Sequence, residues 1–357
     1  MPNDLTTEPF RYGKRRFPAE WESQEAIWFA WPTRNDLWPG FQQEVRRDLS
    51  ALYVTASRYQ TVRVLCPFAA QDELKEHLKF SAWDGQRIEL FDYQTDDVWC
   101  RDFGPIFVQT QTGALLITSW EYNAWGGKFA LYQRDNAVPE WIAEELGLDC
   151  LEFDIVAEGG AIESNGAGSL LTTECVLLNA NRGQHESDAR ARIEDRFSRA
   201  FGLQQILWLG DGLAGDDTDG HIDNLARFFA EDGILYATTD PSDSANFAAL
   251  EANRLRLEGF RTPAGKPFRT IPLPLPPAVF ADGERLAASY LNFLILNGAV
   301  LVPTYGDQAA DDHACQILSE CFPGRNMERV DSRVILREGG SLHCLSQPQP
   351  LAAGFNA

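Results

Sequence analysis

The chain has 357 residues, 44% of them apolar and ten of them Trp, which is enough for one large core or two ordinary ones. A net charge of −21 argues against nucleic acid and anionic membrane surfaces as partners and suits a cationic ligand. No apolar run reaches the length of a membrane span, and Met1-Pro2-Asn3-Asp4-Leu5 opens the chain without the basic and apolar segments of a secretory leader.

Helical periodicity is expected at about 41–59, 69–79, 137–147, 186–201, 243–260 and 310–322. All but the short second one are followed by a strand-like run, at 61–66, 150–156, 204–209, 268–275 and 327–331. Four hairpin-like pairs of apolar runs precede these helices, at 105–122, 161–178, 224–238 and 289–303. Their turns carry Gly, as in Thr112-Gly113, Asn165-Gly166, Asp232-Gly233 and Asn297-Gly298. The Pro-rich piece Ile271 to Pro277 reads as an edge strand or a connection. The unit is therefore strand-strand-helix-strand, four times over. A fifth copy can be assembled from both chain ends, with Leu342 to Gln347 pairing against Glu25 to Trp31. Closing a ring with the two termini is how propeller-like repeats avoid an open edge.

The seven Cys (66, 100, 150, 175, 315, 321 and 344) include no C-x-x-C pair. No disulfide framework or structural zinc site is expected, and the cytoplasm follows as the compartment. Asp216-Asp217-Thr218-Asp219-Gly220 lacks the spacing of a calcium loop. Neither a P-loop nor a G-x-G-x-x-G motif is present.

One phrase occurs twice: Glu158-Gly159-Gly160-Ala161-Ile162 and Glu338-Gly339-Gly340-Ser341-Leu342, the second running into His343-Cys344. Polar residues fall at matching places in the units. Asp102 and Glu158 precede the first and second hairpins. His221 and Asp223 open the third, Asn292 the fourth, and Cys344 the fifth. In a ring these positions face one another. Two carboxylates held close repel unless a cation lies between them, and a planar guanidinium fits two carboxylates bidentately. A thiolate can then attack the guanidinium carbon, with a His to protonate departing ammonia and later to deprotonate water. This chemistry calls for no metal and no cofactor.

These motifs resemble the agmatine deiminase family of the guanidine-modifying (pentein) superfamily, which is related to bacterial peptidylarginine deiminase. The resemblance rests on Phe17 to Glu22, Trp28 to Pro32, Trp99 to Pro105, Tyr122 to Lys128, Glu158 to Gly160, Thr218 to Asn224, Ser289 to Phe293 and Gly339 to Cys344. It implies a five-bladed α/β propeller of ββαβ modules with pseudo-fivefold symmetry, built as one catalytic domain over residues 1–357. It also implies hydrolysis of agmatine to N-carbamoylputrescine and ammonia through a thiouronium intermediate, a step of putrescine and polyamine biosynthesis. Carried over residue by residue, Cys344 resembles the nucleophile, His221 the general acid/base, Glu158 its supporting carboxylate, and Asp102 and Asp223 the guanidinium-binding pair. Trp99, Trp125, Asp217, Asn292 and Gly340 are expected against the substrate.

Two departures bear on the amine tail: Asp217 where relatives carry Glu, and Ala161-Ile162-Glu163 where they carry Ser-Ile-His. Both are expected to line the substrate. Asn123-Ala124-Trp125-Gly126-Gly127 offers no arginine for a substrate carboxylate, which favours agmatine unless Arg101 or a distant arginine folds in. The alternatives are an arginine or peptidylarginine deiminase and an amidinotransferase. Sequence leaves a homo-oligomer open.

Overall fold

The computed structural model describes residues 13–353, so Met1 to Leu5 and the expectation about a leader lie outside the described residues. Five sheets share one strand order: an antiparallel pair, then a third strand parallel to the second and reached through a helix. In the second sheet these strands are Ile106–Thr110, Leu115–Glu121 and Cys150–Val156. In the third they are Glu163–Ser164, Ser169–Thr173 and Gln205–Leu209. The fourth has Ala226–Ala230, Gly233–Thr238 and Arg269–Pro274. The fifth has Leu294–Leu296, Ala299–Thr304 and Asn326–Asp331. The first sheet draws on both ends of the chain: Gln347–Pro350 pairs antiparallel with Gln24–Ala30, which pairs parallel with Thr61–Leu65.

The middle strand of each sheet has neighbours on both sides and reads as a nearly continuous buried run, as in Ala299–Thr304. Helices cover the sheets with one apolar stripe. Gln42–Ser57 turns Val45, Leu49, Leu52 and Tyr53 inward at helical spacing. Val138–Leu146 starts with a proline in its first turn and stops at Gly147, whose φ of 64° ends the helix without steric cost. Among the described residues no helix is long and apolar enough to cross a membrane.

Several boundaries differ from the sequence reading. The C-terminal strand begins at Gln347, not Leu342, because Leu342 to Ser346 form a buried turn. Glu174–Leu177 is a helical turn where a strand is expected, and Tyr290–Asn292 is a 3-10 turn ahead of its hairpin. Arg269–Pro274 is an edge strand, the place where prolines leave no ladder donor missing. Ile88–Phe91 adds a fourth strand to the first sheet, Arg15–Arg16 adds one to the second, and Val279–Ala281 and Glu284–Leu286 form a separate hairpin.

Buried amides stitch the terminal sheet to the fifth. The Gln24 side chain donates to the carbonyls of Glu20 (2.7 Å) and Ile295 (3.0 Å) and accepts from Gln60 (2.7 Å). Asn297 answers by donating to the Gln24 carbonyl at 2.7 Å. Gln24→Leu leaves two buried carbonyls and one amide unpaired, each costing about 1–3 kcal/mol. Urea unfolding of this variant should show a clearly lower midpoint at unchanged slope, and an unchanged midpoint would remove the stitch from the stability of the fold.

Candidate active site

Short turns placed just ahead of the first strand of each sheet carry the polar residues. Asp102 lies in the helical turn Cys100–Phe103, and Glu158 caps the 3-10 turn Gly159–Ala161. His221 caps Ile222–Asn224, which contains Asp223. Asn292 ends Tyr290–Asn292, and Cys344 precedes Gln347–Pro350. All six are buried.

The turns bring them together. The Cys344 thiol lies 3.5 Å from Asp223 Oδ2 and accepts from Asn292 Nδ2 at 3.1 Å. His221 Nδ1 is 3.5 Å from Asp102 Oδ1, and its Nε2 is 4.0 Å from Glu158 Oε2. Glu158 is held from behind by Arg182, whose Nε donates to Oε1 at 2.8 Å. Asp102 accepts from the Trp125 indole N–H at 2.9 Å and from the Gly160 N–H at 3.1 Å. Among the described residues, Glu158 Oε2, Asp223 Oδ1 and both ring nitrogens of His221 are buried without a hydrogen-bond partner. Such a cluster of orphaned buried atoms marks a place built for something else to occupy.

The repeated Glu-Gly-Gly phrase has a steric reason. A Cβ on Gly160 would sit 2.5 Å from Asp102 Oδ1 and 2.6 Å from His221 Nδ1. A Cβ on Gly340 would sit 2.2 Å from the Trp99 ring. Trp125 is delivered by a rare backbone: Ala124, Trp125, Gly126 and Gly127 have φ of 54°, 53°, 89° and 77°. The two non-glycine residues each cost about 1–2 kcal/mol there. Asn123 holds the turn by accepting from the Gly126 N–H at 2.7 Å.

Charge crowding sets the protonation states. Burial pushes Asp102 up to about 6, with Asp223 adding to the rise and His221 opposing it. Burial, then Asp223 and Asp102, push the Cys344 thiol well above its usual range. Both causes disfavour the thiolate, and a cation placed between the carboxylates would oppose them.

A cavity of about 150 Å³ opens from Cys344 and Asp102. Trp99, Trp125, Phe129 and Gly340 line it. Asp36, Asp97, Asp217 and Glu338 supply an acidic wall. Burial pushes Asp97 up to about 7, with Glu338 and Asp36 adding to it, while the Val98 N–H and Arg34 oppose it. Arg34, brought in from far along the sequence, is the cation of this wall. Its guanidinium is engaged with Asp36 and with the Asp96 carbonyl at 2.9 Å. Lys128 is likewise engaged, 2.7 Å from Asp219 Oδ1.

Three expectations change. Glu163 does not line the cavity; it is buried against Arg227 at 2.9 Å. Arg101 is buried too, 3.2 Å from Glu20, and does not face the cavity. Asn292 meets the thiol and accepts from the His343 N–H at 3.0 Å, and is not among the lining residues. Glu20, Glu163 and His343 present ligand-type atoms within 4.8 Å of one another, but the guanidiniums of Arg101 and Arg227 already supply cations there. Asp97, Glu338 and Arg34 went unread in the sequence, although Glu338 opens the second Glu-Gly-Gly phrase as Glu158 opens the first.

A family model for the Porphyromonas-type peptidyl-arginine deiminase matches residues 16–350. The agmatine deiminase of Stutzerimonas stutzeri (strain A1501) is 35% identical over 97% of this chain and 98% of its own. The solved structure of the C. jejuni agmatine deiminase with substrate bound has a TM-score of 0.85 at 32% identity, covering 96% of this chain and 97% of that one. The agmatine deiminase of Enterococcus faecalis has a TM-score of 0.87 at 28% identity, covering 95% of this chain and 97% of its own.

An electrophile that carries its own cation should exploit the carboxylates. At pH 7.5 chloroacetamidine should alkylate Cys344 at least ~100-fold faster than iodoacetamide, since only the former stabilises the thiolate. Cation binding needs ionised Asp102, and ionisation is lost as pH falls through about 6. The chloroacetamidine rate should therefore drop ~10-fold per unit below that point. Peptide mapping over pH 5–8 reads both effects, and equal rates for the two reagents would remove the carboxylates from this role.

Proposed function

Because the chain belongs to the Porphyromonas-type peptidyl-arginine deiminase family, we propose that the buried thiol, histidine and carboxylates deiminate the guanidinium group of agmatine. The products are N-carbamoylputrescine and ammonia. The acidic wall of the cavity is the observation that carries this substrate, because agmatine ends in an ammonium group alone while arginine bears a carboxylate beside its ammonium.

The proposed sequence of steps follows from the contacts. Asp102 and Asp223 take the guanidinium N–H groups, Asp223 through its free Oδ1. As the cation binds, the Cys344 proton passes to His221, and the thiolate bonds to the guanidinium carbon while the C=N electron pair moves onto nitrogen, giving a tetrahedral adduct. His221, lying between Asp102 and Glu158, gives that proton to the leaving nitrogen, the C–N bond breaks, and ammonia departs to leave an S-alkylthiouronium. His221 then takes a proton from water. The resulting oxygen attacks the same carbon, and the C–S bond breaks to release the ureido product and the thiol. Trp99 and Trp125 flank the methylene chain, and Asp97, Asp217 and Glu338 receive the amine.

We read the five like-ordered sheets as blades of one ring with pseudo-fivefold symmetry, a single catalytic domain over residues 1–357 with the termini closing one blade. All seven cysteines are free, which supports a reducing, cytoplasmic setting.

Cys344→Ser should fold normally and lose ammonia release by at least ~10⁴-fold, as removal of a covalent nucleophile does. Activity within ~10-fold of the parent protein would rule out the thioether step.

Selectivity follows from the wall. Free arginine should be poorer than agmatine by at least ~100-fold in kcat/KM, because an unpaired buried carboxylate costs more than the ~2.7 kcal/mol that factor needs. Asp97→Asn or Glu338→Gln should raise the agmatine KM ~10-fold with little change in kcat, the signature of lost ground-state binding. A panel of agmatine, arginine, an arginyl peptide and an amine acceptor, scored by ammonia and ureido product, decides the matter. Arm-by-arm equality of arginine and agmatine would move the reading to an arginine deiminase that uses Arg34. Turnover only with the acceptor would make it an amidinotransferase.

A further inference from the structure

His343 has no part in the steps above, yet it is fully buried and each ring nitrogen meets a different carboxylate. Nδ1 lies 2.8 Å from Asp223 Oδ2 and Nε2 lies 2.8 Å from Glu20 Oε2. An ionised carboxylate only accepts, and a neutral imidazole carries a single N–H. Both contacts are hydrogen bonds only when the ring carries two protons.

The surrounding charges leave that place to the ring. Arg227 pairs with Glu20 at 3.1 Å and Glu163 at 2.9 Å, and Arg101 pairs with Glu20 at 3.2 Å. Among the described residues neither guanidinium is within ion-pair distance of Asp223, and the His343 ring lies 2.8 Å from it. The same Oδ2 also lies 3.5 Å from the Cys344 thiol, and Asp102 and His221 are close enough to act on Asp223 and its neighbours electrostatically. Carboxylates crowded in this way without a cation drive one of their number to take up a proton.

We propose that His343 is a positioning residue: held by Glu20 as an imidazolium, it keeps Asp223 ionised, ties up Oδ2 and leaves Oδ1 aimed at the substrate guanidinium. This role rests on the deiminase reading. Two further observations agree with it. Burial works to raise Asp223, but the His343 hydrogen bond and charge, joined by His221 and Arg227, hold the carboxyl below its usual range. Burial likewise works to raise Glu20, and Arg227, His343 and Arg101 bring it well below.

The chain has five histidines, so histidine-specific 15N labelling gives a resolvable spectrum. In the empty wild-type protein at pH 7.5, one imidazole should show both nitrogens protonated, and that signal should vanish in His343→Asn. The asparagine keeps an N–H toward Asp223 and removes the charge. The acid limb of kcat/KM for agmatine should then move up by about one pH unit or more, a ~10-fold loss at pH 6.5 that recovers toward pH 9. Glu20→Gln should act in the same direction on both readouts, and it serves if His343→Asn does not fold. A neutral His343 ring at pH 7.5, or variant profiles parallel to the wild type, would overturn the proposal. The spectrum of the empty protein does not depend on agmatine being the substrate, so failure of the deiminase reading would show separately as a wild type without turnover.

Discussion

Negative charge buried in excess of its cations is the constraint on which this molecule turns. Asp102, Glu158 and Asp223 sit side by side out of water, and the protein answers each differently. Glu158 has Arg182 at its back. Asp223 has His343. Asp102 accepts from the N–H groups of Trp125 and Gly160 and has the His221 ring 3.5 Å away, and burial still pushes its carboxyl up. That graded shortage is the feature on which the proposed binding of a planar guanidinium rests. An uncompensated buried charge is expensive, so the surrounding turns have to be rigid enough to hold it. The steric limits at Gly160 and Gly340 and the left-handed turn before Lys128 are how that rigidity is met.

The same economy extends to the mouth. Five acids, Asp102 among them, and one arginine line the cavity, and the arginine is bound to Asp36 and a carbonyl. On the proposed reading, affinity for a dication comes from the tail as well as from the guanidinium. Asp97, pushed up to about 7 by burial, is the member of this wall whose charge is most easily changed by its surroundings.

Much of the order of elements was legible because apolar runs, helical stripes and Gly-bearing turns repeat in register with the units. The terminal strand was misplaced for a physical reason. Gln347-Pro348-Gln349-Pro350 carries two prolines and few apolar side chains, and reads as anything but a strand. It is tolerated because it forms the edge of its sheet. Of the site, the residues that sit at matched places ahead of each hairpin could be read from their spacing. Asp97, Glu338 and Arg34 could not, since they share a wall only after separate turns fold together. Glu163 was read toward the wrong neighbour: its sequence position beside Glu158 says nothing of Arg227, with which it pairs across two sheets.

The pairing of Gln347–Pro350 with Gln24–Ala30 has a consequence for synthesis. Trp28 donates to Gln349 across 321 positions of sequence, so this contact has about the longest loop the chain can close. The ribosome delivers His343, Cys344 and their closing strand after the three carboxylate-bearing turns, those of Asp102, Glu158 and Asp223. A nascent chain therefore carries the charged half of the site with no thiol to activate, and guanidine compounds in the cell meet a competent enzyme only once translation has passed the last strand.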